Sequence, residues 1–294
     1  MPDPTGSVLA LDIGGTKIAA ALVAPDGTLS GRASVATPKD GDAKELLGEV
    51  VALARGVQSG LGAAPRLCGV GCGGPMDAET VSPLNIPAWR RFPLSQMLGD
   101  ELGLDVVVDN DAKALALAEG WLGSARDSQN FLAMVVSTGV GGGIVLGGRL
   151  LGGRLGNAGH IGHVIVEPDG RRCSCGAQGC LEAEASGSAI EDVSGEPAAL
   201  APLEVRVRSG MLVGRAIASV ASLLDLDLAV VGGSVALGYG EPFFDAAQVE
   251  LSARARLDFS RTCRVVPVGL GDRAPLVGAG AIALRHGGAT WIPR

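Results

Sequence analysis

The chain has 294 residues, of which 47% are hydrophobic and 19% charged, and it carries a net charge of −7. Its length and apolar content predict a globular protein with two lobes. An acidic chain without runs of Lys and Arg is poorly suited to nucleic acid, and its start has neither a signal-sequence pattern nor a membrane span. We therefore expect a cytoplasmic protein with reduced thiols and no nucleic-acid or membrane partner.

Apolar runs alternate along the chain with stretches of helical periodicity. Short apolar runs bounded by Gly, Pro or Asp predict strands at Val8–Ile13, Ile18–Val23, Leu67–Cys72, Asp105–Val108, Phe131–Val136, Ile144–Leu146 and Leu228–Val231. Apolar residues at helical spacing predict helices at Ala43–Leu61, Ala112–Leu122, Val205–Leu224, Phe243–Arg256 and Leu276–Arg285. This order predicts an α/β fold. The least ordered part is expected at Glu191–Leu203, which contains two prolines.

One pattern, strand then Gly-rich turn then strand, occurs at the start of the chain and again in its middle. The turns are Gly14-Gly15 and Ser137–Gly143. The repetition predicts two related lobes that each present a turn to a shared cleft. We expect a smaller lobe of residues 1–111 plus 275–294 and a larger lobe of residues 112–274.

Three Gly-rich turns that each follow an apolar strand are candidate phosphate sites. In the first, Asp12 could hold hydrated Mg²⁺, and glycine amides could approach a phosphate closely. The alternative is a hairpin turn in which the glycines only supply positive φ. The candidate residues of the three turns are Asp12, Gly14, Gly15, Thr16, Lys17, Thr138, Gly139 and Gly233.

Neither of two well-known nucleotide-binding motifs, the P-loop motif and the dinucleotide-binding motif, is supported by the sequence. No G-x-x-x-x-G-K-[ST] occurs, which excludes a P-loop enzyme. Residues 69–74 match G-x-G-x-x-G, but Pro75 follows and no helix is predicted there. We interpret this match as unrelated to dinucleotide binding.

Asp111 lies between a predicted strand and a predicted helix, directly after Asn110. A carboxylate there could accept a proton from a substrate hydroxyl while Asn110 binds a neighbouring hydroxyl, as phosphoryl transfer to an alcohol requires. The alternative is that Asp and Asn serve only as N-terminal caps of the helix.

One histidine and three cysteines, both rare residue types in this chain, form the most specific motif of the sequence, and it predicts a metal site. His163, Cys173, Cys175 and Cys180 have the spacing H-x9-C-x-C-x4-C. Three thiolates and one imidazole form a closed tetrahedral Zn²⁺ site, so the metal is expected to be structural. The alternative is buried free cysteines. His160 is not needed for the zinc tetrahedron and is either a turn residue or a substrate contact. The other three cysteines, Cys68, Cys72 and Cys263, lie in apolar stretches typical of a core.

Together, the DIGGTK start, the Asn-Asp pair, STGVGGG, the His/Cys run and VVGGSV resemble the ROK family of repressors, open reading frames and kinases. The resemblance implies an actin-like, hexokinase-type (ribonuclease H-like) sugar kinase, active as a homodimer or homotetramer, in which Mg²⁺·ATP and a hexose meet between two lobes. It implies that Asp111 is the general base and that the glycine turns bind phosphates. The sugar would be bound by Asn85, Asn110, His160, His163 and Glu182.

The sequence departs from family glucokinases at His160, because those enzymes usually have Glu in the corresponding A-G-E-I-G-H motif. An imidazole offers at most one acceptor nitrogen and suits two adjacent equatorial hydroxyls poorly. The A-G-H-I-G-H form resembles that of bacterial N-acetylmannosamine kinases. We therefore expect an N-acylmannosamine kinase, with glucokinase as the alternative and polyphosphate as an alternative donor.

Two other classes are weighed against a kinase. ROK regulators carry an N-terminal helix-turn-helix domain before the DIGGT-like strand, but only a short segment precedes Val8 here. A sugar-binding module without catalysis would lack the carboxylates, but Asp12 and Asp111 are both present. We expect neither class.

Overall fold

The computed structural model describes residues 6–39, 41–59 and 65–290 of the chain. Its strands are β1 (Val8–Ile13), β2 (Lys17–Val23), β3 (Leu29–Ala36), β4 (Leu67–Cys72), β5 (Asp105–Asn110), β6 (Phe131–Val136), β7 (Val140–Leu146), β8 (Arg149–Leu150), β9 (Leu228–Gly232) and β10 (Arg264–Pro267). Its α-helices are α1 (Ala43–Gln58), α2 (Leu94–Leu102), α3 (Asp111–Leu122), α4 (Leu181–Ala185), α5 (Gly187–Ser194), α6 (Leu203–Leu224), α7 (Ser234–Tyr239), α8 (Glu241–Arg254) and α9 (Ala274–His286).

The chain divides into two compact units. Unit 1 comprises Met1–Leu122, Gly152–Ala158 and Asp272–Arg294, and unit 2 comprises Gly123–Leu151 and Gly159–Gly271. The expected lobes, with a boundary at residue 111, differ from this division because α3 packs tightly on α9. At Gly278 of α9, an added Cβ would lie only 2.3 Å from the carbonyl oxygen of Ala114 in α3.

Each unit contains a five-stranded mixed sheet, and the two sheets have the same connectivity. The strand order is β3-β2-β1-β4-β5 in unit 1 and β8-β7-β6-β9-β10 in unit 2. In both, the first three strands form an antiparallel meander and the last two run parallel to the first strand. The predicted repeat is therefore a repeat of topology, and the predicted α/β class is confirmed.

Each unit has its own hydrophobic core. In unit 1 the core includes Leu9, Leu11 and Trp89, all fully buried, and in unit 2 it includes Met134 and Phe243. The three cysteines predicted to be core residues, Cys68, Cys72 and Cys263, are buried. Burial raises the pKa of these thiols, so they remain protonated and unreactive near neutral pH.

The G-x-G-x-x-G match does not form a dinucleotide site. Residues 67–72 are strand β4, and a cis Gly74-Pro75 peptide follows instead of a helix. At Gly69, an added Cβ would lie 1.8 Å from the carbonyl oxygen of Ala279. The glycine therefore permits close packing of α9 on the sheet.

The helix α6 is the one helix in the described part of the chain that is long and apolar enough, by length and composition, to cross a membrane. Half of its most apolar window is buried within the protein. At Gly210 and Gly214, an added Cβ would lie 2.2 Å from backbone oxygens of α8. This close packing against α8 is typical of a core helix.

The segment Glu191–Leu203 is ordered, although most of it is exposed. Helix α5 continues to Ser194 and is capped by Gly195 in the left-handed conformation. A single 3-10 turn, Ala198–Leu200, separates the two prolines of the segment. Little regular structure fits here because each proline removes a backbone donor.

Candidate active site and metal centre

The predicted site residues form two groups, one in each unit. Unit 1 holds Asp12, Gly14, Gly15, Thr16, Lys17, Asn85, Asn110 and Asp111, and unit 2 holds Thr138, Gly139, His160, His163, Cys173, Cys175, Cys180, Glu182 and Gly233.

The group in unit 1 lies at the carboxyl ends of three parallel strands. Asp12 of β1 is paired with Gly71 of β4, which is paired with Asp109 of β5. At Gly71, an added Cβ would lie 3.7 Å from Asp111 Cα and 3.8 Å from Asp12 Oδ1. The carboxyl ends of parallel strands are the usual location of ligand sites in open α/β sheets, so the carboxylates lie where such a site is expected.

The electrostatics of this group favour a protonated Asp12. Burial and the nearby charge of Asp111 raise the pKa of Asp12 to about 7, although Lys17 opposes the shift. A carboxyl group with this pKa changes charge near neutral pH. A divalent cation at Asp12 would favour the ionised form.

The capping role considered for Asp111 is filled by its neighbour. The Asn110 side chain accepts hydrogen bonds from the amides of Ala112, at 3.0 Å, and Lys113, at 3.4 Å. Asp111 is the first residue of α3 and is exposed. Its Oδ1 accepts a hydrogen bond from the Ala112 amide at 2.8 Å. Asn110 therefore starts the helix, and Asp111 presents a carboxyl group at its surface.

The Gly14-Gly15 turn is not explained by positive φ, because neither glycine is among the residues of the chain with positive φ. Gly15 is instead required for a close approach, since an added Cβ would lie 2.6 Å from Asn85 Cβ. The turn is fixed by Gly14, whose amide donates to the Lys17 carbonyl at 3.0 Å. Thr16 and Lys17 are exposed. The turn thus lies beside the predicted sugar residue Asn85.

The equivalent turn of unit 2 lies at the carboxyl ends of β6 and β9. At Gly233, which has a φ of +96°, an added Cβ would lie 2.3 Å from the carbonyl oxygen of Val136. The hydroxyls of Ser137 and Ser234 are 2.9 Å apart. The structure therefore brings the turn containing Thr138 and Gly139 next to Gly233.

The four ligands predicted for zinc come together in unit 2. The ligand atoms of His163, Cys173, Cys175 and Cys180 all lie within 4.8 Å of one another. The distance from Cys175 Sγ to Cys180 Sγ is 3.7 Å, as is that from Cys173 Sγ to His163 Nδ1. Tetrahedral zinc places its ligand atoms about 3.5–3.8 Å apart. These two pairs have that separation, so the cluster could hold a metal ion with four protein ligands.

The loop that carries these cysteines is positioned by two residues, Glu184 and Arg208, that belong to no sequence motif. Glu184 is 2% exposed and accepts hydrogen bonds from the Arg171 amide at 2.6 Å and from Arg208 at 2.7 Å. Burial alone would raise the pKa of Glu184, but these bonds outweigh it and hold the pKa below its usual value. Nothing in the sequence indicates this pairing, because Arg208 belongs to the distant helix α6.

His163 lies beside the residue on which the substrate prediction depends. Its Nδ1 atom faces the cysteine cluster. The rings of His160 and His163 are stacked, with centroids 6.1 Å apart and an interplanar angle of 19°. His160 is exposed, whereas His163 is partly buried. The two histidines therefore lie together, but only His163 lies in the metal cluster.

Residues 8–286 match the ROK family model. The chain belongs to the ROK family. The prediction made from its motifs is therefore confirmed. An N-acetylmannosamine kinase of Yersinia pseudotuberculosis is 38% identical over 253 residues, which are 80% of this chain and 85% of that protein.

Solved structures of ROK kinases share the fold. A ROK glucokinase from Streptomyces griseus, in complex with glucose and AMPPNP, is 31% identical, with a TM-score of 0.82 over 95% of this chain and 100% of that one. A ROK hexokinase from Thermus thermophilus is 33% identical, with a TM-score of 0.80 over 96% of this chain and 99% of that one. The predicted two-lobed, hexokinase-type fold is thereby confirmed.

Proposed function

We propose that the protein is an ATP-dependent ROK sugar kinase that phosphorylates the 6-hydroxyl of an N-acylhexosamine, preferably N-acetylmannosamine. Family membership and kinase relatives at 31–38% identity support a phosphotransferase. The observation that carries the proposal is the exposed Asp111 carboxyl group beside Asp12 at the carboxyl ends of β1, β4 and β5.

In the proposed mechanism, Asp111 accepts the proton of the sugar 6-hydroxyl as that oxygen attacks the γ-phosphorus. Asn85 and Asn110 orient the sugar by hydrogen bonds to neighbouring hydroxyls. Asp12 would hold Mg²⁺, and the bound cation would neutralise triphosphate charge. The amides of the Gly14-Gly15 and Thr138-Gly139 turns, together with Gly233, line the phosphates and stabilise the charge that develops on them.

The metal cluster has a structural role in this proposal. Four protein ligands close the zinc coordination sphere, so zinc would bind no substrate or water. It would fix the ring of His163 through Nδ1, which leaves Nε2 to contact a sugar hydroxyl.

The preference for N-acetylmannosamine is supported by His160 and by the N-acetylmannosamine kinase relative. A histidine replaces the anionic acceptor that suits the adjacent equatorial hydroxyls of glucose. A glucokinase is the second candidate, because the Streptomyces griseus structure in complex with glucose has a TM-score of 0.82 with this chain.

A coupled assay of ADP release tests the proposal with N-acetylmannosamine, N-acetylglucosamine, glucose, mannose and allose. We expect the highest kcat/KM for N-acetylmannosamine. A parallel assay with polyphosphate instead of ATP should give less product. A preference for glucose of tenfold or more, about 1.4 kcal/mol in transition-state binding, would contradict the substrate assignment and favour the glucokinase.

A further inference from the structure

The Ser137–Val140 turn is held from one side by the chain that follows the metal cluster. The Gly187 amide donates to the Ser137 carbonyl at 2.7 Å, and the Ser188 amide donates to the Thr138 carbonyl at 3.2 Å. The Val140 amide donates to Glu182 Oε2 at 2.9 Å. Three hydrogen bonds therefore connect the start of α4 and α5 to a turn proposed to bind phosphate.

The Glu182 bond differs from the other two because it is made by a charged side chain. A hydrogen bond to a carboxylate is about twice as strong as one between neutral groups. The carboxylate lies so close to the turn that a Cβ added at Gly139 would be 2.9 Å from Oε2. Glu182 thus fixes the backbone directly after the amides of Thr138 and Gly139.

Glu182 is itself fixed by the metal ligands. It is the second residue of α4 and follows the ligand Cys180 by two positions. Between them, the Leu181 amide donates to the carbonyl of Val164 at 2.9 Å, and Val164 follows the ligand His163. The start of α4 is therefore joined to the metal cluster in two ways. The chain connects it directly to Cys180, and the Leu181 hydrogen bond connects it to the residue after His163.

We propose that Glu182 is a positioning residue for the Ser137–Val140 turn and that, through it, the metal cluster supports nucleotide binding. The inference rests on the proposed function, in which this turn binds the phosphates. It adds to the contact with sugar expected for Glu182, since a carboxylate has two oxygens and Oε2 is the atom that binds the turn. The effect on nucleotide is therefore measurable without sugar.

The test is isothermal titration of the zinc-loaded full chain with Mg²⁺·AMPPNP in the absence of sugar. Glu182→Ala should raise the Kd about tenfold, since it removes a charge-assisted bond to a buried amide. Glu182→Gln should stay within threefold of the unaltered chain, because an amide oxygen still accepts from Val140. Glu191→Ala, at an exposed glutamate of α5, is the matched control and should not change the Kd.

Removal of the metal tests the second half of the proposal. A chelator should weaken AMPPNP binding at least fivefold in the unaltered chain but less than twofold in Glu182→Ala, because the two changes interrupt the same connection. Circular dichroism at each step checks that the chain stays folded. Should Glu182→Ala not fold, Glu182→Met keeps the side-chain length and must show the same loss.

Two results would overturn the inference. One is an unchanged Kd in Glu182→Ala with its metal content intact, and the other is an equal loss on metal removal in both proteins. Failure of the proposed function has a different signature, because the unaltered chain would then bind no AMPPNP at all.

Discussion

Asp12 shows how one residue can belong to both the fold and the site. It pairs in the sheet between β2 and β4, yet its carboxyl group lies near Asp111. Burial and that neighbouring charge raise its pKa to about 7. Ionisation of Asp12 is therefore disfavoured in the folded protein and should depend on the cation that it is proposed to hold.

We predict that Mg²⁺ activation depends on pH. A carboxyl group with a pKa of about 7 is about one-tenth ionised at pH 6 and nine-tenths at pH 8, and metals bind the ionised form. The Mg²⁺ concentration for half-maximal rate should therefore fall by nearly tenfold between pH 6 and pH 8. A concentration that is constant over this range would contradict a role of Asp12 in binding Mg²⁺.

Thermal stability gives an independent control. The folded pKa of Asp12 lies above its unfolded value, so its contribution to stability is lost as pH rises towards 7. The melting temperature of Asp12→Asn should therefore exceed that of the unaltered chain by more at pH 8 than at pH 5.

At the scale of elements, α6 holds both ends of the segment Glu167–Glu184, which carries the three cysteines of the His/Cys cluster. Arg208 binds Glu184 at 2.7 Å. Arg215 binds Glu167 at 2.6 Å and the Val166 carbonyl at 2.9 Å. The two arginines are seven positions apart and therefore lie on one face of the helix, about two turns from each other. The loop between Glu167 and Glu184 is thereby held to one rigid element.

We predict that these arginines slow metal release. Arg208→Met and Arg215→Met should each increase the rate of zinc transfer to a colorimetric chelator roughly tenfold, since residues that orient metal ligands commonly change metal affinity by that factor. Arg254→Met is the matched control, because Arg254 pairs with Glu250, as Arg215 does. Release rates within twofold of the control for both variants would contradict the prediction, as would purified protein without bound zinc.

The sequence predicts some elements well because burial leaves a clear pattern. Apart from Asp12 in β1, the strands β1, β4 and β6 contain only apolar residues, and their predicted bounds match the structure. By contrast, β3 has the sequence LSGRASVA and is mostly exposed, and β10 is a four-residue edge strand. Both depend on pairing with a neighbouring strand, and neither was predicted. Helix α2 was also missed, although Gly103 follows it as a left-handed cap.

For the site, the sequence could predict residue types but not contacts. The His/Cys spacing places four ligand atoms in one cluster because the ligands are close in sequence. The hydrogen bond that the Val140 amide donates to Glu182 joins segments about 40 residues apart. No local sequence pattern therefore reveals it. The role of Gly15 was likewise hidden, because it depends on contact with Asn85.

At the scale of the whole molecule, the same five-stranded topology occurs in both units and places a Gly-rich turn after the first strand of each sheet. In unit 1 the adjoining strand ends lie near carboxylates, and in unit 2 they lie near hydroxyls and glycines. In the proposed mechanism the duplicated fold therefore serves two tasks: both Gly-rich turns bind phosphate, and unit 1 also supplies the base for proton transfer.

Phosphorus NMR of the reaction product tests this account most directly. With ATP and N-acetylmannosamine, the unaltered chain should produce a phosphomonoester whose signal is split into a triplet by two protons, as a phosphate on the 6-hydroxyl requires. Asp111→Asn should still bind the sugar but lose turnover by at least a thousandfold, because the proton acceptor is gone. A doublet, the release of inorganic phosphate alone, or near-normal turnover by Asp111→Asn would contradict the proposed reaction.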